Sequence, residues 1–251
     1  MSHGLAISRR KQSGSRFVLA KSGRLMIVAA IALAASVASI AQNPEVQQKF
    51  AAAQQAAAQN KARLRQYQWT ETTQITLNGE QKPPSENLCQ YGPDGQVQKT
   101  PIGPPPQQPS GGRLKQRVIE KKKAEMADYM GDVKGVLSMY VPPDPDKMQQ
   151  AFQAGKVSLN PAGSVLNIVF TNYAQPGDSM TLVFDPAIKK IISLSVNTYM
   201  GQAKDAVTLQ VQMAGLPDGT SYPQQTILNA TAKNLVVTTT NSNYQKLGGG
   251  Y

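Results

Sequence analysis

The chain has 251 residues, of which 40% are hydrophobic and 16% charged, with one Cys and one His. That length suits one or two domains, and the composition excludes a disordered polyelectrolyte, a disulfide scaffold and a Cys/His zinc site. The net charge of +11 is uneven: Arg9, Arg10, Lys11, Arg16, Lys21 and Arg24 precede any acid, and without them the balance is +5.

Residues 25–41 read LMIVAAIALAASVASIA, all apolar or small and none charged. A basic stretch precedes this run, and the small residues Ser39 and Ala41 close it just before Gln42. This is the three-part pattern of a secretory signal. Its 17 residues fall short of the about 20 that a spanning helix wants. Residues 1–41 therefore read as an export signal, cleaved after Ala41 or kept as an N-terminal anchor. Either outcome exports the body, because the positive flank stays behind.

Asn43-Pro44-Glu45 predicts a helix start, with a capping side chain, Pro in the first turn and an acid at the positive dipole end. The Ala- and Gln-rich segment that follows makes 42–66 a helical lead-in, with Val46, Phe50, Ala53, Ala57 and Leu64 as a thin apolar stripe. From Tyr67 the period becomes two. Tyr67, Trp69, Thr73, Ile75 and Leu77 share one side of a strand that Asn78-Gly79 ends in a tight turn. Further strands are expected at 86–91 and 96–100, joined by Pro93-Asp94-Gly95. Residues 101–112 hold five prolines and three glycines and read as a loop.

A long helix is predicted over 113–141. Ile119, Met126, Met130, Val133, Leu137 and Tyr140 give it one apolar face, and Pro142-Pro143 stops it. Asp144-Pro145 caps a shorter helix carrying Met148, Ala151 and Phe152. Alternation and turn residues then predict strands at 156–159, 164–173, 179–184, 188–199, 206–213, 221–231 and 234–240. Residues 248–251 are a loose tail, and 67–247 read as one α+β domain built on an antiparallel sheet.

Catalytic machinery is hard to assemble from this chain. His3 lies in the leader, so the body has no histidine for a Ser-His-Asp or Cys-His site. The S-x-x-K of Ser8–Lys11 is also in the leader, and no Gly-rich phosphate loop appears. Asp144 and Asp146 sit at a helix start and Asp178, Asp185 and Asp218 in turns, where Asp serves local hydrogen bonding. Cys89 reads as a small buried hydrophobe. The expectation is a non-enzymatic chain with no catalytic residue, no metal and no cofactor.

Two features suggest binding. Arg113, Lys115, Arg117, Lys121, Lys122 and Lys123 open the long helix against Glu120 alone. They suit either a solvated helix end or a contact with an anionic membrane surface or acidic envelope partner. Export and the lack of interleaved aromatics argue against nucleic acid. The face with Met126, Met130, Val133 and Leu137 suits either core packing or an apolar ligand, since Met side chains adapt to irregular shapes.

The order of elements from Asn43 to Tyr244, with strands such as Tyr67-Gln68-Trp69-Thr70-Glu71-Thr72-Thr73 and 207–213, resembles the periplasmic lipoprotein-carrier (outer-membrane lipoprotein-sorting, LolA-like) superfamily. The Pro-rich stretch 101–109 and the Pro142-Pro143-Asp144-Pro145 joint depart from it. The resemblance implies a curved antiparallel sheet forming an open half-barrel, with an N-terminal helix and an inserted helix pair packed on it. It further implies lipid or acyl-chain binding, with Met126, Met130, Val133 and Leu137 lining the cavity. The competing readings are an envelope protein-interaction module and, third, a carboxylate-dependent hydrolase.

Overall fold

Alternation from Tyr67 builds the first strand, β1 (Tyr67–Leu77), on which Tyr67, Trp69 and Glu71 are buried. The computed structural model describes residues 55–103 and 112–248. The leader at 1–41, the Asn43-Pro44-Glu45 start and residues 104–111 lie outside them. A helix, α1, covers 55–64 before β1. After β1 come β2 (Glu80–Gln81), β3 (Ser85–Tyr91) and β4 (Val97–Ile102). Asn78 and Gly79 both take positive φ, as the tight turn after β1 requires.

Two helices follow, α2 (Arg113–Leu137) and α3 (Pro145–Gln153). The predicted helix to 141 ends four residues sooner. Its last turn tightens, with Met139 N–H donating to Val136 and Tyr140 N–H to Leu137. Asp144 caps α3 by accepting from Asp146 N–H and Lys147 N–H.

The meander then runs β5 (Val157–Ala162), β6 (Val165–Thr171), β7 (Ser179–Asp185), β8 (Lys190–Tyr199), β9 (Ala206–Gly215), β10 (Ser221–Ala230) and β11 (Leu235–Lys246). All described strands join one curved antiparallel sheet in the order β4-β3-β1-β11-β10-β9-β8-β7-β6-β5, with β2 on β1. β1 and β11 pair along their length, from Tyr67 opposite Lys246 to Leu77 opposite Leu235, with one register shift between Gln68 and Thr70. The sheet does not close, so β4 and β5 are edges. Each edge carries a proline, Pro101 and Pro161, a residue that discourages further strand pairing.

One face of the sheet carries the core. Met180, Val196, Val207, Leu209, Leu228 and Leu235 project from it and meet Tyr129 and Val133 of α2 and Ala151 of α3. The architecture is α+β, with an open curved sheet and helices packed on it, as the order of elements suggests.

Candidate functional site

The four predicted ligand-lining residues lie together on α2. Val133 is fully buried, and Met126, Met130 and Leu137 are half-buried against the same core. Seven methionines fall among the described residues, and every one belongs to this core or packs on it. Met180 alone is sealed, whereas Met126, Met130, Met139, Met148, Met200 and Met213 keep part of their surface open. Flexible thioethers that are not fully enclosed form a surface able to reshape around apolar groups.

Along one flank of α2 runs an open groove of about 490 Å³, lined by Gly131, Asp132, Gly135, Val136, Met139 and the Met200–Gly201 turn. Val136, Met139 and Met200 are themselves half-buried parts of the core, so the groove floor is the core's own edge. Neither helical glycine is needed sterically, since a Cβ at Gly131 or Gly135 would meet nothing within 4 Å. Each instead lowers helix stability by about 1 kcal/mol relative to Ala.

A second concavity, of about 210 Å³, lies at the far end of β1, bounded by Trp69, Glu71, Tyr91, Lys99, Asn241 and Tyr244 together with Leu64, Val97 and Pro223. Sheet register places Trp69 opposite Cys89 and Cys89 opposite Lys99. From β4, Lys99 Nζ reaches across β3 to Glu71, 2.6 and 2.8 Å from its two oxygens. Trp69 stacks on Tyr244 with centroids 5.5 Å apart and meets Tyr91 at 5.4 Å. Its indole N–H donates to Asn241 Oδ1 at 3.0 Å. Asn241 Nδ2 in turn donates to the Pro223 carbonyl at 2.8 Å. Burial, and secondarily Tyr91, hold the Tyr244 hydroxyl well above its ordinary range. Burial and then Glu71 raise the Cys89 thiol, against Lys99. Cys89 is thus a protonated, enclosed thiol. Sequence reasoning missed this cluster, because a lone acid and a lone base on separate strands carry no spacing signal.

The six bases divide. Arg117, Lys121, Lys122 and Lys123 stand exposed on α2, and Arg113 and Lys115 occupy its first turn. The turn acids cap their own turns, and two of them, Asp178 and Asp218, also accept from distant tyrosine hydroxyls. Asp185 accepts from Ala187 N–H. Asp218 accepts from Thr220 N–H at 3.0 Å and from the Tyr67 hydroxyl at 2.7 Å. The Tyr67 bond is the main cause, ahead of Thr220 and Lys246, of an Asp218 carboxyl held well below its ordinary 3.8. A carboxylate with a depressed folded pKa adds stability that is present above 3.8 and lost as pH falls. Asp218→Asn should therefore flatten the acid limb of stability below that pH, measured as the urea midpoint against pH. An unchanged acid limb would remove Asp218 from that role.

Among the described residues, no group of three or more His, Cys, Asp or Glu is placed to hold a metal, and no helix is long and apolar enough to cross a membrane.

No family model and no curated protein matches the chain. Three solved structures are similar to it. A DUF1329 family protein from Desulfovibrio piger is 9% identical at a TM-score of 0.37, covering 78% of this chain and 94% of its own. A domain described as an outer membrane lipoprotein-sorting protein, from Vibrio parahaemolyticus, is 11% identical at 0.33, covering 78% and 92%. A LolA superfamily protein from Nitrosomonas europaea is 9% identical at 0.36, covering 78% and 94%. One of the three carries a lipoprotein-sorting description and another the LolA superfamily name. At these scores the likeness carries no argument for a shared ligand, so the functional reading rests on this chain's own geometry.

Proposed function

We propose that the chain is an exported, non-catalytic envelope protein that holds an apolar ligand, a lipid or acyl chain, in the groove between the flank of α2 and the Met200–Gly201 turn. The observation that carries this reading is the groove beside α2. Its floor is the half-buried edge of a methionine-rich core, and its wall is a helix left bare by Gly131 and Gly135. A ligand entering there would lie on Val136, Met139 and Met200; Met126, Met130, Val133 and Leu137 lie outside the groove lining and pack on the core instead. Affinity would come from apolar area removed from water, about 25 cal/mol per Å² before the entropic costs of association. Proline in both edge strands makes strand addition by a protein partner the weaker alternative.

The test separates filling from folding. Gly135→Leu adds a good helix former to open space, so the variant should stay folded and keep or raise its unfolding midpoint. It should also lose lipid. Native mass spectrometry of chains purified without detergent from an exporting host should show lipid mass on the parent and little on the variant. Equal lipid on both would overturn the groove reading, and a parent free of lipid would overturn the carrier reading.

A further inference from the structure

The amino-terminal part of α2 overhangs the core. Residues 116–125 are exposed except for half-buried Ile119, and packing begins at Met126. This overhang is where the helix concentrates charge. Arg117, Lys121, Lys122 and Lys123 are all exposed. The ion pair among them, Lys121 with Glu125, is long at 3.9 Å and open to solvent. The helix starts at Gly112 with no side-chain cap and no acid in its first turn, so its positive dipole end is not offset either. Arg113 and Lys115 in the first turn oppose the dipole, while Arg117, Lys121, Lys122 and Lys123 lie beyond its reach and, apart from the Lys121–Glu125 pair, gain nothing from the helix. Neither helix stability nor the core therefore accounts for the bases. An anionic surface would offset both the dipole and the side-chain charge. Val118, 55% exposed in the middle of the run, adds an apolar contact at headgroup depth.

We propose that the first turns of α2 dock on an anionic lipid bilayer, with Arg117, Lys121, Lys122 and Lys123 at the headgroups. This surface is distinct from the groove, and its success or failure does not decide the ligand reading.

The test compares the full chain with an Arg117→Gln/Lys121→Gln/Lys122→Gln/Lys123→Gln variant on vesicles of phosphatidylcholine alone and with added phosphatidylglycerol. Both chains keep the apolar segment 25–41, so binding through that segment is common to the two. The parent should prefer the anionic vesicles, release from them as salt rises, and bind at least about tenfold more tightly than the variant. Amide exchange in 116–125 should slow only on anionic vesicles. Equal binding by parent and variant, or exchange in 116–125 that vesicles leave unchanged, would overturn the proposal, as would equal binding to both vesicle types.

Discussion

Replacing Asp178 with alanine should lower folding stability by about 3–5 kcal/mol, measured as the shift in urea midpoint at neutral pH. Asp178 is 3% exposed. Its Oδ1 accepts from Tyr173 N–H at 2.6 Å. Its Oδ2 accepts from Ala174 N–H at 2.9 Å, Gln175 N–H at 2.7 Å and the Tyr140 hydroxyl. Truncation would orphan all of these donors in a site closed to water. The Tyr140 oxygen also meets Thr198 Oγ1 at 2.8 Å, so the cluster ties the chain just after α2 to the β6–β7 turn and to β8. Asp178→Asn should cost less, because an amide oxygen can still serve the three Oδ2 donors while its NH₂ faces one donor. Tyr140→Phe should cost about 1–2 kcal/mol. Burial first, and the Asp178 bond second, hold the Tyr140 hydroxyl well above its ordinary 10.0. A group whose neutral form is favoured in this way gives stability that is present below that value and lost as pH climbs above it. The alkaline limb should therefore flatten in Tyr140→Phe. A midpoint for Asp178→Ala within about 0.5 kcal/mol of the parent would show that the cluster does not secure the helix pair.

Much of this fold is legible in residue order, and its exceptions have local causes. Strands with one apolar face announce themselves, as in Met180, Leu182 and Phe184 of β7 or Val207, Leu209 and Val211 of β9. The Asp-Pro start of α3 does so too. The last turns of β11 do not. Asn243 takes φ 54° and inserts one extra residue opposite β1, so Asn241 and Tyr244 serve one pocket despite an odd spacing. A pattern search at period two breaks at such a bulge. Glu71 is opaque for a different reason. A charge on the buried side of β1 reads as a mismatch until Lys99 is known to cross β3 to reach it. The helix face of Met126, Met130, Val133 and Leu137 is legible as a face, and its meeting with the sheet is seen in the core. The groove beside it is not, because it depends on Met200 and Gly201 arriving from a distant turn.

Trp69→Ala should cost about 3–5 kcal/mol, read by far-ultraviolet circular dichroism because the substitution removes the chain's single tryptophan. The indole is 6% exposed, packed between Tyr244 and Tyr91. Its loss would empty that stack and orphan the Asn241 oxygen that accepts its N–H. Trp69→Phe keeps a ring but not the donor, and should cost about 1–2 kcal/mol. In the parent the same residue is a private reporter for this end of the sheet. Its emission should lie at shorter wavelength than in the unfolded chain. The methionine-rich core lies nearer the other end of the same strands, where Leu77 pairs with Leu235. Because β1 and β11 run unbroken through both regions apart from the Asn243 bulge, the two should unfold together. The fluorescence and circular dichroism transitions of the parent should then coincide in urea. An earlier fluorescence transition would mean that the aromatic end opens on its own. Trp69→Ala, read by circular dichroism, would then leave the core's midpoint in place.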